Sequence, residues 1–91
     1  MIKSFKCKKT KRLFDGEQVP AFSGFSRQAD KRLRLLDASE TIDALKALPS
    51  NRFQALSGDR KGQYSIRVNK QWRVCFEWDE GAHEVEVVDY H

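Results

Sequence analysis

The sequence has few cysteines and histidines, and this shortage excludes several kinds of protein. Its two cysteines, Cys7 and Cys75, lie far apart and form neither a C-x-x-C pair nor a disulfide framework, which favours a reducing compartment. The two histidines, His83 and His91, are too few for a metal site, and the H-E-x-x-H, P-loop and G-x-G-x-x-G motifs are all missing. We therefore expect no metal and no cofactor.

Long apolar segments are missing as well. No window approaches the ~20 apolar residues of a membrane span, and the first nine residues contain no apolar stretch long enough for a signal peptide. We therefore expect a cytoplasmic protein that does not bind membranes. The length of 91 residues is typical of one domain, and we predict a single domain over residues 1–91.

Positive charge is in excess. The chain has 17 Lys and Arg residues against 13 Asp and Glu residues, a net charge of +4 at pH 7. Basic residues crowd the N-terminus before the first acid, Asp15, whereas acidic residues gather after Phe76. This sign of charge favours a polyanionic partner, either nucleic acid or an acidic protein.

The spacing of apolar residues changes along the chain from helical to strand periodicity. After a short alternating strand at 2–7, helices are predicted at 8–14, from a Ser26 cap to Asp37, and from a Ser39 cap to the breaker Pro49. Strict alternation then predicts strands at 63–69, 72–78 and 83–90. This order predicts an α+β fold with helices on one face of an antiparallel sheet.

Two arginines fall on the polar side of the predicted strands. Arg67 and Arg73 alternate with apolar residues, and the short link 69–71 predicts that their strands form a hairpin and bring them together. Neighbouring guanidinium groups repel unless an anion bridges them, and a phosphodiester matches their geometry. The alternative is that both are solvated surface residues paired with Glu77 or Glu84.

The last three residues combine a carboxylate, a phenol and an imidazole. Asp89, Tyr90 and His91 follow one another at the end of a predicted strand. Together they can supply a base, an acid and a stacking ring, and imidazole changes charge near neutral pH. The alternative is a frayed terminus whose residues have no joint function.

The C-terminal half contains a more specific pattern. Residues 56–76 read L-x-G-x-R-x-G, then S-I-R-V-N, then W-R-x-x-F, and the chain opens with M-I-K-S-F and finishes with V-D-Y-H. These segments resemble the HigB-type toxins of the RelE superfamily, and the similarity covers nearly the whole chain. The resemblance implies the RelE-like fold, in which N-terminal helices pack on one face of a curved antiparallel sheet and the active site lies on the open face.

The resemblance also implies a function and partners. It implies a toxin of a type II toxin–antitoxin system that inhibits translation and growth through ribosome-dependent, metal-independent cleavage of mRNA. The implied partners are the ribosome with its mRNA and a helix-turn-helix antitoxin of the HigA type, and operator DNA would be reached only through the complex with the antitoxin.

Site residues follow from the positions that match the family. The predicted catalytic residues are Arg73, Asp89, Tyr90 and His91. The predicted RNA-binding residues are Arg60, Lys61, Arg67 and Asn69.

One departure from the family pattern leaves alternatives open. Related toxins often read H-P-L-K-G before the arginine, whereas this chain has Gln54 and Ser57 in place of the His and Lys. Either the remaining cations cover the charge role or cleavage is weak. One alternative function is therefore a non-catalytic inhibitor that binds RNA or the ribosome, and another is a corepressor that acts with its antitoxin on operator DNA.

Overall fold

The computed structural model describes residues 1–89, which form helices over one face of a four-stranded sheet. The helices are α1 (Lys8–Phe14), α2 (Ser26–Ala38) and α3 (Ile42–Lys46). The strands are β1 (Gln54–Ala55), β2 (Tyr64–Arg67), β3 (Trp72–Trp78) and β4 (Ala82–Asp89). Single 3-10 turns occupy Pro20–Phe22, Pro49–Asn51 and Gly58–Arg60. The predicted α+β class with the helices N-terminal to the sheet is confirmed.

The sheet is antiparallel throughout and has the strand order β1-β2-β3-β4. Ile66 pairs with Val74, and Val74 pairs with Val87 on the other side. These three side chains are buried beneath Leu33 and the other apolar residues of α2, because alternation directs every second residue of a strand to the same face. The register shifts between Cys75 and Glu77, and such a β-bulge bends the strand.

The helix boundaries differ from the predicted ones. Ser39 does not cap α3, because its hydroxyl donates to the Leu35 carbonyl oxygen at 2.8 Å and so lies at the end of α2. Thr41 caps α3 instead, with its hydroxyl oxygen accepting from the Ala44 N–H at 3.2 Å. Ser26 is the first residue of α2 rather than its cap.

The predicted regular strand at residues 2–7 is wrong. Ile2 and Phe5 form isolated parallel bridges to Ala82 and Val85 of β4 and no continuous ladder. The interruption has a local cause, since Glu84, between those two partners, has a positive φ of 53° and breaks the regular pleat. The first residues nevertheless run along the outer edge of β4.

Two buried polar side chains join separate elements of the fold. Thr10 of α1 is fully buried, and its hydroxyl oxygen accepts from the Val87 N–H of β4 at 3.0 Å. Asn51 is also fully buried; its amide donates to the Leu45 carbonyl oxygen at 3.0 Å, and its oxygen accepts from Arg32 of α2 at 2.7 Å. These bonds satisfy groups whose burial would otherwise be costly.

Within residues 1–89, no helix is long and apolar enough to cross a membrane.

Candidate functional site

The face of the sheet that points away from the helices carries two directly opposed arginines. Arg67 on β2 and Arg73 on β3 are partners in the hairpin register. Their neighbours Ile66 and Val74 point into the helix-covered core, so both arginines lie on the opposite face, which we call the open face. The predicted hairpin pairing of Arg67 with Arg73 is confirmed.

Backbone and hydroxyl oxygens hold the Arg73 side chain. Its Nε donates to Ser65 Oγ at 2.7 Å, and its Nη2 donates to the carbonyl oxygens of Ser65 and Arg52. Arg52 adopts a left-handed backbone conformation, with φ 46° and ψ 48°, and this turn presents its carbonyl oxygen to the guanidinium. These three acceptors are uncharged oxygens, and together they fix the position of the side chain.

Arg67 is held more loosely. Its Nε donates to the Asn69 carbonyl oxygen at 3.1 Å. The Asn69 side chain itself shapes the hairpin, because its oxygen accepts from the backbone N–H groups of Gln71 and Trp72, each at 2.8 Å. This contact is an Asx-type turn, so the structure gives the predicted RNA-binding residue Asn69 a role in the loop.

Arg60 reaches the same face from the turn before β2. Its Nη1 donates to Glu86 Oε1 at 2.9 Å and to Gln63 Oε1 at 3.0 Å. Glu86 Oε1 also lies 3.8 Å from Lys6 Nζ. Sequence reasoning missed Glu86, although alternation along β4 places it on the same face as Val88, the partner of Arg73.

The floor beneath these side chains is uncharged. Ser65 and Cys75 are partners across β2 and β3, and both are fully buried. Burial raises the pKa of the Cys75 thiol, and the positive charge of Arg60 offsets part of this rise. A buried thiol that stays protonated at neutral pH is a poor nucleophile, so Cys75 acts as a packing residue.

The C-terminal residues are only partly described. Asp89 pairs with Trp72, whose ring stacks on Phe25 of the helical layer with centroids 4.6 Å apart. The register therefore places Asp89 at the same end of the sheet as the arginines but on the alternate side, and its Oδ2 accepts from Gln71 Nε2 at 2.7 Å. The predicted catalytic residues Tyr90 and His91 lie outside the described residues.

The remaining predicted residue, Lys61, is exposed next to Arg60. Gln54 lies on the exposed short strand β1, and Ser57 precedes the Gly58–Arg60 turn. No group of three or more His, Cys, Asp or Glu side chains in the described part of the chain is placed to hold a metal ion. A groove of about 730 Å³ between α1 and α2 is lined by none of the predicted site residues.

Comparisons with known proteins agree with this fold. Residues 3–91 match the HigB-like toxin family, described as the RelE-like toxin of type II toxin-antitoxin system HigB. The chain therefore belongs to the HigB-like family of RelE-like toxins. A type II toxin is paired with an antitoxin, so the predicted family and an antitoxin partner are confirmed.

Two curated relatives support this assignment. Toxin HigB-1 of Vibrio cholerae serotype O1 is 43% identical over 61 residues, which cover 67% of this chain and 64% of that relative. Endoribonuclease HigB of Proteus vulgaris is 38% identical over 95 residues, covering 100% of both chains. The predicted enzyme class, endoribonuclease, is therefore confirmed for the family.

A solved structure supports the fold alone. The YoeB-YefM complex from Staphylococcus aureus contains a chain with a TM-score of 0.62 and 17% identity, covering 100% of this chain and 98% of that chain. With the family match, this likeness confirms the predicted RelE-like fold.

Proposed function

We propose that this chain inhibits growth as a cytoplasmic endoribonuclease that cuts mRNA on the ribosome without a metal ion. The observation that carries the proposal is the pairing of Arg67 with Arg73 on the open face. Two guanidinium groups held side by side are best satisfied by a bridging anion, and a backbone phosphate offers oxygens that match both. The Proteus vulgaris relative, named an endoribonuclease, aligns along the entire chain.

Metal-free cleavage of RNA requires a base for the ribose 2′-hydroxyl, positive charge at the phosphorane and an acid for the leaving 5′-oxygen. We assign to Arg73 the stabilisation of the negative charge on the phosphorane, because three acceptors hold its guanidinium in place. A preorganised donor aimed at developing negative charge contributes on the order of 10²–10³ in rate. Arg67 assists Arg73, while Arg60 and Lys61 bind neighbouring phosphates and Asn69 keeps the hairpin in shape.

The proton transfers fall to the C-terminal residues in this proposal. Asp89 lies at the end of β4, at the same end of the sheet as Arg73 although on the alternate side, with its carboxylate held by Gln71. His91 carries the imidazole that exchanges protons near neutral pH. These two residues divide the roles of base and acid, each contributing about 10²–10⁴-fold. Tyr90 supplies a ring for stacking on a base or a hydroxyl that orients the sugar.

The test is to map mRNA 5′ ends after a short pulse of expression without the antitoxin. Wild-type protein and Lys31→Ala, which removes an exposed cation of α2, are expected to produce new ends within codons and to stop growth. Arg73→Ala and a chain lacking His91 are expected to produce few ends. A folded Arg73→Ala protein that remains fully toxic would disprove the assignment of Arg73.

A non-catalytic inhibitor is the second candidate. It is favoured by Gln54 and Ser57 at the positions where relatives carry His and Lys, and by the register that turns Asp89 to the other side of the sheet. Such an inhibitor would occupy ribosomes and stop growth without creating new mRNA ends. The same mapping experiment therefore separates the two functions.

We further propose that the antitoxin is a helix-turn-helix protein of the HigA type and that this chain reaches operator DNA only through it. Mobility-shift assays should show that the complex binds the operator and that this chain alone does not. For a protein that serves mainly as corepressor, replacing Arg73 and Asp89 would leave operator binding of the complex intact and wild-type expression would leave mRNA uncut.

A further inference from the structure

A carboxylate lies among the cations of the open face. Glu86 lies on β4 as the partner of buried Cys75, and its side chain is 13% exposed. Glu86 Oε1 lies 2.9 Å from Arg60 Nη1 and 3.8 Å from Lys6 Nζ, so two cations meet one carboxylate on this face. A negative charge at this point opposes RNA binding by simple electrostatics, and its presence calls for a specific role.

We propose that Glu86 is a positioning residue that holds the Arg60 guanidinium where a phosphate of the RNA binds. This inference rests on the proposed function. Nη1 of Arg60 contacts both Glu86 Oε1 at 2.9 Å and Gln63 Oε1 at 3.0 Å. Two acceptors on one nitrogen define the orientation of the planar group, which a single contact does not do.

The pair is placed to be rigid. The side chains of Arg60 and Glu86 are 29% and 13% exposed, so solvent screens their attraction less than in an exposed pair. The charged hydrogen bond is shorter and stronger than a neutral one. Glu86 also belongs to a strand paired with β3, whereas Arg60 comes from the single turn Gly58–Arg60. The strand residue Glu86 therefore fixes the side chain that comes from the turn.

This role predicts a split between binding and catalysis. Glu86→Gln removes a negative charge from an RNA-binding face, so affinity for the programmed ribosome is expected to stay equal or to increase. With a neutral amide in place of the carboxylate, Arg60 loses its charged hydrogen bond and its guanidinium is positioned less precisely; small misplacements cost on the order of tenfold to a hundredfold in rate. We therefore expect the single-turnover cleavage rate to fall at least about tenfold while KM does not rise.

The experiment measures cleavage by the full chain on ribosomes programmed with a defined mRNA. The variants are Glu86→Gln, Arg60→Ala and the double variant, with Glu84→Gln as the matched control, because Glu84 is an exposed carboxylate on the same strand. If Glu86 acts through Arg60, Glu86→Gln has no further effect when Arg60 is already Ala. Equal losses in both backgrounds, or a loss no larger than that of Glu84→Gln, would overturn the inference.

Two further controls separate the possible failures. Glu86→Asp keeps the charge but shortens the reach to Arg60, so it tests the same contact should Glu86→Gln not fold. We expect Glu86→Asp to lower the cleavage rate at unchanged KM. Full activity of this variant would overturn the inference. Absence of cleavage by the wild-type chain would overturn the proposed function and this inference with it. Wild-type cleavage with fully active Glu86 variants would overturn this inference alone.

Discussion

Arg67 and Arg73 face each other across the β2–β3 hairpin, yet their side chains are held very differently. Arg73 donates to three oxygens, two from Ser65 and one from Arg52. Arg67 donates to the Asn69 carbonyl oxygen. This asymmetry assigns the rigid position to Arg73 and leads to different expectations for the two residues.

Replacing each arginine by lysine tests this asymmetry. Lysine keeps the charge but lacks the planar fork that meets several oxygens at once. We therefore expect Arg73→Lys to lose about 10²-fold in cleavage rate, as when one preorganised donor is removed, and Arg67→Lys to lose much less. Single-turnover cleavage on programmed ribosomes measures both, and equal losses would contradict the asymmetry.

The Arg52 backbone offers a second test. The Arg52 carbonyl oxygen reaches Arg73 because Arg52 has a φ of 46°. Asn tolerates this conformation, whereas a β-branched residue does not. Arg52→Asn and Arg52→Val remove the same charge, so the ratio of their cleavage rates reports the backbone alone. We expect the Val variant to be about tenfold slower than the Asn variant; equal rates would exclude a role for the carbonyl.

The bond between α1 and β4 predicts an effect on stability. Thr10→Val keeps the shape of the side chain but leaves the buried Val87 N–H without its acceptor. Such an unsatisfied group costs about 1–3 kcal/mol. We expect the free energy of unfolding in urea to fall by this amount in Thr10→Val and by less in Thr10→Ser, which retains the hydroxyl. The reverse order would show that the methyl group matters more than the bond.

Alkaline pH should reveal the buried thiol. Burial raises the pKa of Cys75 above its ordinary value of 9.0. The folded state therefore binds this proton more tightly than the unfolded state, and the stabilisation is fully present below pH 9 and is lost as pH rises from there through the folded pKa. Cys75→Ala lacks this loss. Urea unfolding from neutral to alkaline pH should show two curves that converge, and parallel curves would contradict the raised pKa.

Strand alternation made part of the site predictable. It assigned Trp72, Val74 and Phe76 to the core and left Arg67 and Arg73 on the other face, as the structure has them. A side-chain period of two needs no knowledge of distant residues, so local sequence was sufficient for this part.

Contacts that depend on register and strain were not predictable. The ion pair of Arg60 with Glu86 requires the alignment of β4 on β3 across a bulge, which no local pattern encodes. The positive φ of Glu84 interrupts the N-terminal strand, and nothing in a glutamate signals it. Ser39 and Thr41 are both good N-cap residues. The residue at which α2 ends decides which of them caps α3.

The placement of the first residues along β4 also affects how the sheet meets other chains. Met1 and Ser4 accept backbone hydrogen bonds from Ala82 and Val85, so the first residues of the chain cover part of the β4 edge of the sheet. The opposite border is the two-residue strand Gln54–Ala55. Short or covered borders discourage strand-to-strand aggregation, so toxin produced in excess of its antitoxin should remain dispersed and available to act.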